Sequence, residues 1–248
     1  MKEETKPYDL VYAMGCSFVQ GSELGPDNEN LPNTPVKSVP GRFSEIVADH
    51  FKTKHLNLAQ GGAGQSRIFR TTMDYLDGSN LKNEKILFLI GLSFPLRQEV
   101  FVNTLNKWQK WNIYSEKDFV ELVTYSTIRN KTTDKFKEGY YTEEDFNKFK
   151  MFYLEYIQNE RESLKDGYRL MLSLKSYIKD KSPKSDIFMF SALGDNWPEH
   201  MIKTLDLDRK YNPWSKYIVD NNLKDPCCWH PKEAAHKELA NYIIKKYS

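Results

Sequence analysis

Four short apolar segments are the feature that most restricts the fold of this chain. Each is rich in β-branched or aromatic residues and is followed by a turn with small or glycine residues, which is typical of buried strands. The segments are residues 10–14, 55–58, 85–90 and 186–190. Helical patterns lie between them, so strand, turn and helix alternate along the chain. That alternation predicts a parallel sheet covered by helices on both faces.

Three segments place apolar side chains on one face of a helix. They are residues 41–51, 66–76 and 232–247. In parallel sheets of this kind, ligands bind at the carboxyl ends of the strands. We therefore expect the turns after the first three strands to meet at one edge of the sheet.

The stretch from about residue 107 to residue 181 interrupts this alternation. It is rich in Lys, Glu, Tyr and Phe, and Gly167 is the one strong helix breaker between residues 145 and 179. We predict a single domain, residues 1–248, that carries a mostly helical insertion and then a crossover helix into the fourth strand. The aromatic residues of the insertion would form a packing surface, including a contact between copies of the chain, or a lid over the site.

Composition and charge exclude several classes of function. The 36 basic residues are interspersed with 34 acidic ones, for a net charge of +2, which does not favour nucleic acid as a partner. The first residues are polar, unlike a signal peptide, and the longest apolar run is too short to cross a membrane. Three cysteines do not make a disulfide framework. We expect a cytoplasmic protein with no membrane partner.

Ser17 lies in the turn after the first predicted strand, between Gly15 and Gly21. In a strand-to-helix turn, a serine hydroxyl can project from the edge of the sheet while nearby amides point into the same space. Such a turn supplies a nucleophile and part of an oxyanion hole. The alternative is that Ser17 only caps the helix that follows.

Two further turns could bring polar groups to the same edge. Residues 57–66 carry several glycines, so their amides could bind an anion, although the motifs of P-loops and dinucleotide sites are absent. An oxyanion-binding loop and a simple tight turn are the remaining interpretations. In residues 91–97, Ser93 could face the edge, and Arg97 could reach a carboxylate or carbonyl of a substrate. Ser93 could also cap a helix that begins around Pro95.

A candidate general base lies near the other end of the chain. His230 precedes the last helical segment, and Asp225 lies five residues before it. Histidine titrates in the range that a general base needs, and a carboxylate on its other nitrogen would orient the ring and stabilise the imidazolium. His236, inside the helix, is expected to pack against its neighbours rather than to catalyse.

Zinc binding is a rival use of the same segment. Cys227, Cys228, His230 and His236 are all possible ligands. Adjacent cysteines chelate poorly, and no C-x-x-C pair occurs in the chain. We therefore expect no metal and no cofactor.

These turns, in this order, resemble the SGNH (GDSL-type) hydrolases. Residues 15–18 resemble the first family block, with Cys16 where the family usually has Asp. Residues 57–62 resemble the second block, and residues 225–231, followed by His236, resemble the ending of the family. Two further departures bear on catalysis. Ser93 stands where the family has Asn, and Cys227 holds the place of the acid that precedes the histidine.

The resemblance and the strand–turn–helix order both imply an α/β fold, a three-layer α/β/α sandwich with a mostly parallel, flavodoxin-like sheet. The resemblance further implies an acyl-ester hydrolase of the esterase, lipase or carbohydrate deacetylase type. Ser17 would be the nucleophile, His230 the base and Asp225 the acid that orients it. The oxyanion would be held by the amides of Ser17 and Gly62 and by Ser93.

Substrate contacts are harder to assign from the sequence. Arg97 and Trp229 are candidates, and Trp197, Trp214 and Trp229 could stack on a sugar of a carbohydrate ester. The alternative function is a binding or assembly module that keeps the scaffold without full catalysis, as the departures at Ser93 and Cys227 would allow.

Overall fold

The computed structural model describes residues 7–24, 41–102, 107–112, 143–152, 160–193, 197–225 and 230–248. The strands are β1 (Leu10–Met14), β2 (Lys54–Asn57), β3 (Ile86–Leu92), β4 (Arg97–Val102), β5 (Lys107–Asn112) and β6 (Asp186–Ser191). The helices are α1 (Ser17–Gln20), α2 (Phe43–His50), α3 (Gln65–Asp77), α4 (Glu143–Phe152), α5 (Glu160–Lys181), α6 (Glu199–Leu205), α7 (Trp214–Asp220) and α8 (Glu233–Tyr247).

The central sheet has four strands in the order β2-β1-β3-β6, and every neighbouring pair is parallel. Each of the four predicted segments overlaps one of these strands, and the bounds differ by no more than two residues at either end. The order places β1 in the middle of the sheet, where both of its neighbours arrive by crossover connections. The predicted parallel, flavodoxin-like sheet is therefore confirmed.

Both faces of the sheet are buried, as the apolar runs require. On β1, Val11 and Ala13 belong to the core that includes residues of α2 and α8. Tyr12 and Met14, which alternate with them, belong to the core that includes residues of α3 and α5. Because successive side chains of a strand point to opposite faces, the sheet lies between two helical layers. The described part of the chain is the predicted three-layer α/β/α sandwich.

The pair β4–β5 is antiparallel and stands outside the central sheet. The sequence did not predict it: the turn after β3 leads into a strand at Arg97, and no helix begins around Pro95. Glu99 of β4 accepts hydrogen bonds from Arg67 at 3.0 Å and from two nitrogens of Arg70 at 3.0–3.1 Å, so two arginines of α3 hold the strand in place. Ion pairs with α3 therefore hold the strand at Glu99.

The middle of the chain was predicted to be a mostly helical insertion. Residues 107–112 form β5, α4 is helical, and α5 runs into β6 as the predicted crossover helix. Residues 113–142 and 153–159 lie outside the described residues. The insertion, the single-domain organisation and the role of the aromatic residues there stay predictions. No helix of the described ranges is long and apolar enough to span a bilayer.

Candidate active site

Ser17 is the first residue of α1, directly beyond the carboxyl end of β1. Cys16 is the N-cap, with an extended backbone and a buried side chain, and its carbonyl accepts hydrogen bonds from the amides of Val19 and Gln20. The helix ends after four residues because Gly21 adopts the left-handed conformation, with φ of 68°. Ser17 is half-buried and begins the helix rather than capping it.

Two glycines let α1 lie directly against the ends of β1 and β3. A Cβ atom at Gly15 would come within 2.4 Å of a methyl carbon of Val19 and within 2.8 Å of the carbonyl oxygen of Gly91. A Cβ atom at Gly91 would meet the same methyl carbon at 2.4 Å. A side chain at Gly15 would require the backbone at Gly91 to shift, and one at Gly91 would displace the side chain of Val19 in α1, so both glycines allow α1 to lie this close to the strand ends.

The turn after β2 lies beside Ser17. The side-chain oxygen of Gln20 accepts a hydrogen bond from the amide of Gly61 at 2.6 Å, and the amide of Gln60 donates to the carbonyl of Gly15 at 3.0 Å. The Cβ position of Gly61 is 3.8 Å from the Cβ of Ser17. Gly62 follows with φ of 77°, a conformation that favours glycine. The second turn and the serine turn therefore form one hydrogen-bonded unit.

Asn57, the last residue of β2, forms further hydrogen bonds within the same unit. It is buried, its side-chain amide donates to the carbonyl of Val19 at 3.2 Å, and its side-chain oxygen accepts from the amide of Ala59 at 2.9 Å. One side chain thus links α1 to the second turn.

Ser93 follows β3 and is fully buried. Its hydroxyl accepts a hydrogen bond from a guanidinium nitrogen of Arg97 at 3.1 Å, and its carbonyl accepts one from the side chain of Gln65. A Cβ atom at Gly64 would lie 1.9 Å from the carbonyl oxygen of Arg97, so the second turn presses directly on the start of β4. Ser93 and Gly64 together fix Arg97 at the edge of the sheet.

A cavity of about 540 Å³ opens at this edge, within the usual size range of small-molecule sites. Its lining residues are Ser17, Phe18, Phe94, Arg97, Leu193, Pro213, Ser215, Lys216, Val219, Asp220 and His230. Three predicted site residues, Ser17, Arg97 and His230, therefore lie on one cavity although they are distant in sequence. The ring centroids of His230 and Phe18 are 5.4 Å apart.

His230 lies two residues before the cap of α8, at the end of a loop closed by backbone hydrogen bonds. The amide of Asp225 donates to the carbonyl of His230 at 2.9 Å, and the amide of Lys232 donates to the carbonyl of Leu223 at 2.9 Å. These bonds join backbones, so the role of the Asp225 carboxylate in orienting the imidazole stays a prediction. Residues 226–229, with Cys227, Cys228 and Trp229, lie outside the described residues.

His236 packs inside the protein, as expected. It is fully buried, its Nδ1 accepts a hydrogen bond from the amide of Phe43 at 3.3 Å, and its ring stacks on that of Phe43. Loss of hydration on burial, and then the positive charge of Arg42, lower the pKa of His236 to about 3. The ring is therefore neutral at physiological pH.

One wall of the cavity is formed by residues that were not predicted from the sequence. This wall consists of Leu193 after β6 and of Pro213, Ser215, Lys216, Val219 and Asp220 at or near α7. The Lys216–Asp220 ion pair at 2.9 Å, four residues apart, is an ordinary pattern of exposed helices and gives no sign of a site.

Two of the three tryptophans proposed to stack on a sugar are part of the core. Trp214 is fully buried against Phe18, Phe43 and Phe190, and Trp197 is also buried. The proposal for these two residues is wrong because their rings pack against other aromatic and apolar side chains. As for metals, no group of three or more His, Cys, Asp or Glu side chains in the described ranges could hold an ion.

Comparisons with known proteins complete the description. No model of a protein family matches the chain, and no curated protein matches it. Among solved structures, the chain is similar to a candidate GDSL-like lipase from Parabacteroides merdae, with 13% identity, 97% of this chain and 96% of that chain covered, and a TM-score of 0.46.

Two further similar structures are a phospholipase A1 from Streptomyces albidoflavus and the esterase EstA from a Pseudoalteromonas species. The first has 11% identity, 97% and 100% coverage of the two chains and a TM-score of 0.43. The second has 10% identity, 96% and 98% coverage and a TM-score of 0.44. The matches are esterases and lipases, the class of protein that the sequence motifs resemble. At these identities and scores, the chemistry of this chain must be argued from its own residues.

Proposed function

We propose that this chain is a serine hydrolase that cleaves acyl esters. The observation that supports it is the meeting of Ser17 and His230 on one cavity of small-molecule size at the carboxyl edge of the parallel sheet. Acyl transfer needs a nucleophile and a base close together in a concave site. Here the two residues come from opposite ends of the chain.

In the first half of the reaction, the Ser17 hydroxyl attacks the ester carbonyl while His230 takes its proton. The carbonyl oxygen becomes an oxyanion in the tetrahedral intermediate. When the intermediate collapses, the carbon–oxygen bond to the alcohol breaks, His230 returns the proton to the leaving alcohol, and the acyl group stays on Ser17.

In the second half, His230 takes a proton from water, which attacks the acyl group on Ser17. When the second intermediate collapses, its bond to Ser17 breaks, His230 returns the proton to the Ser17 oxygen, and the carboxylic acid is released. Asp225 would stabilise the imidazolium that forms in both halves.

The oxyanion would be bound by backbone amides of the two linked turns. The amide of Ser17 lies at the start of α1, where helix geometry leaves amides without acceptors inside the helix. Gly62 would supply a second amide from the neighbouring turn. Ser93 would act as the third donor, with its hydroxyl polarised by the hydrogen bond it accepts from Arg97. Each such donor contributes about 100- to 1,000-fold in rate.

The test compares the turnover of p-nitrophenyl acetate by the unchanged protein, Ser17→Ala and His230→Ala. We expect each substitution to lower kcat by about 1,000-fold or more, because the two groups act as a unit. A fluorophosphonate probe should label Ser17, and Ser215→Ala, which removes another serine of the cavity, should keep that labelling. Equal turnover by the unchanged protein, Ser17→Ala and His230→Ala would exclude the mechanism.

A binding or assembly module on the same scaffold is the second candidate. The full burial of Ser93 favours it, because a serine side chain is shorter than the asparagine of the family and reaches less far toward a bound oxyanion. A well-folded sample that neither hydrolyses esters nor reacts with the probe would support the module over the enzyme.

A further inference from the structure

Arg97 differs from other arginines of the described structure in its partners. Carboxylates lie within 4 Å of five of them: Arg42, Arg67, Arg70, Arg169 and Arg209. The described contacts of the Arg97 guanidinium are the neutral hydroxyl of Ser93, at 3.1 Å, and the ring of Phe94, with its centroid 5.4 Å away. Within the described residues, no carboxylate lies within 4 Å of the Arg97 guanidinium.

The uncompensated charge faces the candidate site, because Arg97 lines the same cavity as Ser17 and His230. Two other charged residues line that cavity, Lys216 and Asp220, and they form an ion pair with each other at 2.9 Å. Their charges offset one another. The described wall of the cavity therefore carries one net positive charge, and it belongs to Arg97.

The position of Arg97 is fixed from three directions. The backbone of Gly64 presses on its carbonyl group, the hydroxyl of Ser93 binds its guanidinium, and Glu99, two residues along β4, is held by Arg67 and Arg70. A side chain ordered before the ligand arrives loses less entropy on binding, which strengthens binding.

We propose that Arg97 binds an anionic group of the substrate, a carboxylate or a phosphate, close to the ester that Ser17 attacks. Arginine presents several N–H donors in a planar fork that matches both groups, and only one of its nitrogens is used by Ser93. Phe94 and Val219 also line the cavity and are 44% and 39% exposed, so apolar surface is available for the rest of the ligand. The substrate class is an ester that carries a negative charge, and this inference rests on the proposed hydrolase function.

The experiment measures kcat/KM for three anionic esters and their neutral counterparts. 4-Acetoxybenzoate and 4-acetoxyphenyl phosphate place a carboxylate or a phosphate on the alcohol side, and the monophenyl ester of terephthalic acid places a carboxylate on the acyl side. The corresponding methyl esters are the neutral partners, with the dimethyl ester for the phosphate. We expect Arg97→Gln to lower kcat/KM about 10- to 100-fold for at least one anionic ester, because a charge-assisted pair is lost.

The ratio of kcat/KM for that ester to kcat/KM for its neutral partner should fall by about 10- to 100-fold, because any effect of Arg97 on the oxyanion through Ser93 lowers both rates alike. Arg97→Lys should recover part of the anion preference, since it keeps the charge without the planar fork. Arg169→Gln on α5, which removes the same charge from an exposed ion pair, is the control and should leave all rates unchanged. An equal loss for anionic and neutral esters, or no loss for either, would overturn the assignment of Arg97.

Binding separates this inference from the proposed function. Calorimetry with Ser17→Ala and with Ser17→Ala/Arg97→Gln measures the affinity for the same anionic esters without turnover. Binding that depends on Arg97 in a protein that hydrolyses no ester would refute the hydrolase and retain the anion site. Hydrolysis of neutral esters without any Arg97-dependent binding would refute the anion site and retain the hydrolase.

Discussion

The two halves of the candidate site are held in place in different ways. The turn that carries Ser17 is fixed by side chains and by close packing: Asn57 and Gln20 bind backbone groups of neighbouring turns, and Gly15 touches Gly91 where no Cβ atom fits. The described contacts of the loop that carries His230 include two bonds between backbones, from Asp225 to His230 and from Lys232 to Leu223.

This difference has a consequence for tolerance to mutation. Contacts that depend on the identity of a side chain, or on its absence, are lost when that residue changes. Contacts between backbones persist through most substitutions. We therefore expect substitutions around Ser17 to disturb stability far more than comparable substitutions around His230.

The largest effect is expected for Gly64→Ala. The added Cβ atom would lie 1.9 Å from the carbonyl oxygen of Arg97, a backbone atom that cannot rotate away. Overpacking of this kind costs about 3 kcal/mol or more, since the backbone of β4 must shift. Urea unfolding measures the loss.

Gly167→Ala on α5 is the matched control. Its Cβ atom would meet side-chain atoms of Gln65 at ordinary contact distances of 3.4 Å and beyond. Because alanine is the better helix former, this substitution should raise the free energy of unfolding by up to about 1 kcal/mol. If Gly64→Ala lowered the free energy of unfolding no more than Gly167→Ala does, the tight packing around the turn of Ser17 would be refuted.

The pH dependence of stability should be the next largest effect. Burial, and then Arg42, lower the pKa of His236 to about 3 and that of His55 to about 4. Each folded pKa lies below the unfolded value of about 6.5, so the unfolded chain takes up protons first as pH falls. Stability is therefore full above about pH 6.5 and declines toward pH 4, by up to about 1.4 kcal/mol per pH unit for each histidine.

Urea unfolding between pH 7.5 and pH 4.5 measures this slope. In His236→Asn, the side-chain oxygen of the asparagine can accept the hydrogen bond from the amide of Phe43. Whatever the absolute stability of this variant, the slope of its stability against pH should be smaller by up to about 1.4 kcal/mol per pH unit. The neighbouring charges are Arg42 and Glu45, and Glu45 lies 3.8 Å from Arg42 and 3.9 Å from His55. An unchanged slope in His236→Asn would assign the pH dependence to other groups.

The strands of the central sheet could be predicted because they depend on local patterns. The apolar runs of β1 and β3 are buried on both faces, and such runs are visible in the sequence without knowledge of their neighbours. The meeting of Ser17, Arg97 and His230 on one cavity agrees with the expectation for turns at the carboxyl edge of a parallel sheet.

The parts that could not be predicted depend on distant contacts. β4 begins with polar residues and is held by Glu99 through Arg67 and Arg70, which lie about thirty residues earlier. The cavity wall formed at or near α7 carries no sequence motif. The burial of Trp214 depends on aromatic partners from three other elements. Pairwise contacts of this kind leave no periodic signal in a single sequence.

The smallest effect is expected on the His230 side, at Lys232. This residue is the N-cap of α8, with an extended backbone (φ −70°, ψ 165°), and its side chain makes no capping hydrogen bond. Lys232→Ser keeps the backbone bond to Leu223 and adds a hydroxyl that can accept from a free amide of the first turn, so stability should rise by about 0.5–1 kcal/mol. Lys232→Ala, which lacks the hydroxyl, is the control and should stay within about 0.5 kcal/mol of the unchanged protein. A loss of more than 1 kcal/mol in both variants would show that the loop before α8 depends on side-chain identity as strongly as the turn of Ser17.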